Sequence, residues 1–213
     1  MSVRLVAGMS GGPVEAGHIP VVSLKGARIS GRLILAFARV HATSLLQDCY
    51  FEERPDLCFA ALGFISMQRS IMPGLVGSNL RVDGHLRMTG CSFTGEVTLR
   101  GAKIAGSLLL DGAQMRPAGG FALDADRVEV AGDVLLDSGF SAQGEVRLSN
   151  ARLGGSLALA DADMSAPEGN GRPCQPTTSA LTAVSCLPRK DRRPDPAPAC
   201  IPQRRPVPVG RPA

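Results

Sequence analysis

Residues 95–115 read "GEVTLRGAKIAGSLLLDGAQM", and residues 144–164 read "GEVRLSNARLGGSLALADADM". This repeat constrains the fold more than any other feature of the chain. Val97 and Leu99 fall on one side and Glu96, Thr98 and Arg100 on the other, the period of a strand. After Gly101 the parity changes, and Ala102, Ile104, Gly106, Leu108 and Leu110 form the apolar set. After Gly112 it changes again, to Ala113 and Met115. A straight strand would turn its apolar side to water at each change. A chain that bends at each Gly-Ala keeps every apolar residue inside, and glycine suits such corners because it tolerates positive φ and close backbone approach.

The pattern recurs. Residues 22–40, "VSLKGARISGRLILAFARV", carry it in full, and "LRVDGHLRM" and "RVEVAGDVLL" carry half-copies around Gly84 and Gly132. With the glycine of the apolar-x-Gly-x-apolar core as marker, copies sit at 31, 84, 106, 132 and 155, with spacings of 53, 22, 26 and 23. The wide first gap implies a degenerate coil near Leu57–Met67. The expected fold is all-β, a single-stranded parallel β-helix (β-solenoid) of about six coils of 22–26 residues, a rod about 29 Å long at the ~4.8 Å strand spacing. Helical repeats are excluded by the period of 2 and by glycine at interior positions.

Composition agrees with a narrow core. The chain has no Trp, one Tyr and 7 Phe, but 25 Gly in 213 residues. Residues 1–164 carry 15 Lys+Arg against 16 Asp+Glu, and residues 165–213 carry 8 against 3. The basic balance therefore belongs to the end of the chain, and no nucleic-acid partner is expected of the body. That end also holds 11 Pro, including "RRPDPAPACIPQRRPVPVGRP". Proline lacks the ladder N–H, so residues 165–213 read as a disordered tail of polyproline II character. The expected organisation is an N-terminal cap or flexible lead over 1–19, a solenoid over 20–164 and the tail over 165–213. No run approaches the ~18 apolar residues of a membrane-spanning helix. Without a secretory leader, and with no C-x-x-C pair among the six Cys, a reducing cytoplasm is the expected location.

The signature "GEVxLxGAxIxGxLxLxGA", followed by "PAGGFALDADRVEVAGDVLLDSGFSAQGEVRL", resembles bacterial β-helical repeat proteins from GC-rich genomes, similar in style to pentapeptide-repeat proteins and bactofilins. The resemblance covers about residues 20–165, including the "LLQDCYFEERPDLCFAALGFI" interruption. Members often carry the label membrane-associated oxidoreductase, which implies an oxidoreductase activity and a location peripheral to the cytoplasmic membrane. The label brings no catalytic residue that matches a position here. After Met164 the chain departs from the family pattern, and both a genuine tail and an out-of-frame reading of GC-rich coding sequence fit residues 165–213.

No chemistry-bearing motif is visible. "GARISGR" and "GAKIAGS" have a P-loop's glycine spacing without its Lys, and both serve as repeat corners. No Rossmann fingerprint is present, and no cofactor, metal ligand or catalytic residue is expected. His18, His41 and His85 are isolated. Counting from the marker places His85 in an outward polar column with Arg32, Ser107, Asp133 and Ser156. Cys49, Cys58 and Cys91 read as buried structural thiols. Three residues before each marker, Arg28, Arg81, Lys103, Glu129 and Arg152 form an outward column, either a basic stripe for an anionic surface or a solubilising face that blocks lateral aggregation. Three residues after it, Leu109, Leu135 and Ala158 form an apolar stripe. Leu153, Leu157 and Leu159 are left without a following coil.

The expected function is that of a non-catalytic scaffold or interaction module. It would offer a flat repeat surface to another protein or to an anionic membrane, with self-association end to end through Leu159 or side by side through Leu135. The alternative is the oxidoreductase that the family label implies.

Overall fold

A computed structural model of the protein describes residues 21–165 and the strand Leu181–Cys186. The segment 95–115 makes one complete turn of a four-sided coil. Val97–Thr98 lies on its first face, Lys103–Ile104 on the second, Leu108–Leu109 on the third and Gln114–Met115 on the fourth. Each pairs in parallel with the turns before and after. Lys103, for example, sits between Arg81 and Glu129, and Leu108 between Leu86 and Val134. The fold is a parallel β-solenoid, with no helix among the described residues.

The parity changes read from the sequence hold. Val97, Leu99, Ala102, Ile104, Leu108, Leu110, Ala113 and Met115 are all at most 2% exposed. The corners use glycine for two different reasons. Gly101 and Gly112 have φ of +63° and +64°, the left-handed region that costs other residues about 1–2 kcal/mol. Gly106 has an ordinary φ but no room, since a Cβ there would lie 2.8 Å from the carbonyl carbon and oxygen of Gly84. Gly84 in turn faces Gly63, Gly132 faces Gly106 and Gly155 faces Gly132, so a column of glycines lets successive turns approach at that corner.

Among the described residues seven strands on the fourth face make seven turns, a rod of about 34 Å at ~4.8 Å per turn. The expectation of six is corrected here. Gly31 does not belong with Gly84, because it follows the fourth-face strand Arg28–Ile29 and has φ +79°. Gly63 takes its place in the column. It is hidden in the sequence because Ala61–Ser66 runs unbroken from the second face onto the third. Arg39–Gln47 crosses the same corner, and Glu145–Leu153 crosses from the first face to the second. These long strands merge three faces into a 15-stranded sheet, while the fourth face forms a separate 7-stranded one.

The interior is a set of vertical columns. On the fourth face Phe51, Met72, Phe93 and Met115 stack at no more than 1% exposed. Rings alternating with flexible thioethers fill this column, each burial contributing about 2–3 kcal/mol.

Beyond the last turn, Leu181–Cys186 pairs in parallel with Glu145–Leu153, matching Val146 to Leu181 and Leu153 to Cys186. The last coil therefore does not run straight into a chain that cannot pair. Its first and second faces are continued, and Leu153 is fully buried, whereas Leu157 and Leu159 stay half-buried. The rest of the expected tail, and the expected cap over 1–19, lie outside the described residues.

Candidate interaction surfaces

Register decides which of the expected surface columns exist. Arg81, Lys103, Glu129 and Arg152 are successive partners on the second face. Glu129 takes Lys103 at 3.0 Å on one oxygen and Arg152 at 3.2 Å on the other. The two cations hold its carboxyl below the usual range, the Lys103 hydrogen bond most strongly. The column is thus an alternating ion ladder more than a basic stripe. Arg28 is not part of it. It stands on the fourth face, bonded to Glu52 at 2.7 Å, with its guanidinium 5.1 Å from the Tyr50 ring centre. Arg32 likewise leaves the column assigned to it and pairs with Asp56 at 2.9 Å.

The column of His85, Ser107, Asp133 and Ser156 does more than face solvent. His85 Nδ1 accepts the Ser107 N–H at 2.9 Å, Ser107 Oγ accepts the Asp133 N–H at 3.2 Å, and Asp133 Oδ1 accepts the Ser156 N–H at 2.8 Å. Each side chain satisfies an amide one turn later, beside the glycine column. His85 is a structural acceptor.

The thiols are structural too. Ala27, Cys49, Ser70, Cys91, Ala113, Phe140 and Ala162 occupy one corner on successive turns, and the carbonyls of the first six accept an N–H from the fourth-face strand one turn later. The Cys91 Sγ–H donates to the Met67 carbonyl at 2.6 Å and the Ser70 hydroxyl to the Leu46 carbonyl at 3.1 Å. Burial pushes the Cys91 thiol up to about 12. Cys49 is buried and Cys58 half-buried, and burial raises both. No reactive thiolate is formed at these corners.

On the third face the register does bring Leu109, Leu135 and Ala158 together, with Arg87, Ser66 and Leu45 continuing the column. Leu109 and Leu135 are half-buried. Leu159 points inward, against the core.

Sequence reasoning missed the most exposed apolar surface. Val21, Ile34, Phe37, Tyr50, Phe59 and Ile71 are the large apolar residues exposed among those described, and all lie in the first turns. Phe37 is 75% and Phe59 53% exposed, and their rings stack with centroids 5.1 Å apart and planes 3° from parallel. Both have left-handed backbone, φ +61° and +54°, at a corner where Gly101 stands in a later turn. The available signal was the recurrence of Phe one coil apart, directly before Ala.

Two charged features were also missed. Asp124, 2% exposed, lies between Arg100 at 3.2 Å and Arg147 at 3.9 Å, and the Arg147 guanidinium packs 3.9 Å from the Phe121 ring centre. At another corner Asp111 stands over Asp137 of the next turn, in a shallow cleft with Gln68, Arg69, Thr89, Gly90, Gly112 and Ser138. Desolvation first, and the shared hydrogen bond and charge of Asp137 second, push the Asp111 carboxyl up to about 6. Among the described residues no group of three His, Cys, Asp or Glu side chains could hold a metal ion, and no helix is long and apolar enough to cross a membrane.

Compared with models of protein families, with curated proteins and with solved structures, the chain matches none. The resemblance to β-helical repeat proteins stands on the architecture of stacked parallel coils. The pentapeptide-repeat and oxidoreductase labels gain no support.

Proposed function

We propose that this protein is a non-catalytic β-solenoid that binds another protein through the side of its N-terminal turns. One observation carries the reading: among the described residues, all six exposed large apolar side chains fall between Val21 and Ile71. Later turns place Asn79, Gly101, Arg127 and Asn150 at the Phe37–Phe59 corner, and Ser92, Gln114, Ser141 and Asp163 in the Tyr50–Ile71 column, so the apolar exposure there is a local feature and not a general property of the repeat. Phe37 and Phe59 supply two rigid rings, Ile34 adds an aliphatic side chain on the adjoining face, and Arg28 over Tyr50 supplies an arginine–aromatic pair on the fourth face. Aromatic and arginine anchors of this kind dominate binding energy at protein interfaces. Holding two Phe in left-handed backbone, where Gly or Asn fits better, is a local cost that a buried interface would offset.

The test compares the native protein with a Phe37→Asn/Phe59→Asn variant as bait in extract from its own cells, with quantitative mass spectrometry. Proteins retained by the native chain and lost from the variant are expected. An identical set on both baits would overturn the reading, as would a purified protein carrying stoichiometric flavin or haem.

A further inference from the structure

The two ends of the solenoid fit each other. The first described strand, Val21–Lys25, begins on the third face, and among the described residues it pairs only with Arg39–Gln47, on its C-terminal side. Arg28–Ile29 is the matching terminal strand of the fourth face. At the other end Leu157–Ala158 closes the third face and Asp163–Ser165 the fourth, while Leu181–Cys186 has already continued the first and second. The last described strand thus stops on the second face, and the first starts on the third. A second copy placed after Cys186 continues the spiral in phase.

The core agrees with the backbone. The partly buried apolar residues packed against the core are Val22, Leu24, Ala27 and Ala38 in the first turn, and Leu157, Leu159, Ala162 and Met164 in the last. Val22 belongs to the column that ends at Leu157. By the same register Leu24 meets Leu159, Ala27 meets Ala162 and Ile29 meets Met164, so these interior columns of the third and fourth faces would run on unbroken. The outside agrees as well. Arg28 heads the outward fourth-face column and Asp163 ends it, both exposed. Lys25 and Asp161 are likewise exposed at opposite ends of one corner.

We infer that this chain assembles head to tail with copies of itself, the third- and fourth-face edge of one last turn pairing with the Val21–Lys25 and Arg28–Ile29 edge of the next copy. The contact is heterologous and does not close, so it produces rods of increasing length. It uses the ends of the solenoid, where Val21 and Arg28 stand, and leaves the Phe37–Phe59 stack of the proposed function outside the contact.

Two variants test it. Leu24→Lys places a charge at one end and leaves the other intact, and Leu159→Lys does the reverse. In sedimentation at micromolar concentration the native protein should give a ladder of species that lengthens with concentration. Each variant alone should be monomeric, and an equal mixture of the two should give dimers and nothing longer. Arg28→Glu should shorten the native ladder, and adding Asp163→Arg should restore it. Strand-rich circular dichroism, unchanged in each variant, shows that the fold is kept. A native protein that stays monomeric, as it would if residues 1–20 covered the first edge, overturns the inference. So does a native dimer that grows no further, or a mixture that stays monomeric while the native chain assembles.

Discussion

Phe37 and Phe59 stack face to face across one coil spacing, 5.1 Å between ring centres, on backbones that are both left-handed. The stack offsets part of a conformational cost of about 1–2 kcal/mol at each residue. Replacing either Phe by Asn removes an exposed ring and supplies a residue suited to that backbone, as Asn79 and Asn150 show later in the same column. The isolated protein should therefore keep its melting temperature within about 2–4 °C, the shift that ~1 kcal/mol gives a chain of this size. Partner binding should be lost. A large fall in melting temperature would mean that the rings serve the fold.

The two glycine roles predict opposite tolerance. Gly112→Asn should cost about 1 kcal/mol or less, because its column already holds Asp48 at φ +54° and Arg69 at φ +51°. Gly106→Ala forces a Cβ against Gly84 backbone at 2.8 Å and should cost about 3 kcal/mol. Urea titration of both variants checks the order.

The Asp111–Asp137 pair gives a signed pH dependence. Below the ordinary carboxylate range, about pH 4, Asp111 is protonated in folded and unfolded chains alike. As pH rises, the unfolded chain releases that proton first, while the folded protein holds it until about 6. Stability is therefore lost across this interval and the loss is complete above it. Around the pair, Arg69 is occupied by Asp48 at 2.7 Å, which leaves the carboxylates facing each other. Asp137→Asn should raise the melting temperature at neutral pH by about 2–4 °C, from ~1 kcal/mol after allowance for solvent screening, and change little at acid pH. Equal shifts at both pH values would show that the pair is not the source.

Cys91 should resist alkylation until the protein unfolds, because burial holds its thiol at about 12 and its Sγ–H is donated to Met67. Of the three described thiols, Cys58, half-buried, should react first. Cys91→Ser should cost only about 1 kcal/mol, since Ser70 makes the corresponding bond one turn earlier. Rapid labelling of native Cys91 would contradict the corner geometry.

Much of this fold is legible in residues 95–115, where alternation and its breaks at Gly101 and Gly112 identify all eight inward side chains. The count of turns was not legible, and the cause is local. In the early turns Arg39–Gln47 and Ala61–Ser66 run unbroken across the close-approach corner, where His41 and Gly63 stand, so the marker is hidden. At Gly31 a glycine of the left-handed kind mimics one of the close-approach kind, which moved Arg28 into the wrong column. The surface was less legible still. Alternation says that Phe37 faces out, but only the register sets its ring on Phe59. The Asp111 cleft likewise depends on which turn follows which, through Asp137.

The backbone bonds between turns, such as Gly84 N–H to the Gly63 carbonyl at 2.8 Å and Gly106 N–H to the Gly84 carbonyl at 3.0 Å, point along the axis of the rod. Tension applied along that axis therefore loads the ladders of all four faces together. A pull on one terminus across the axis opens them one after another, each turn held only by its neighbours. The molecule is a strut in one direction and a zipper in the other, and its mechanical strength depends on where a load is attached.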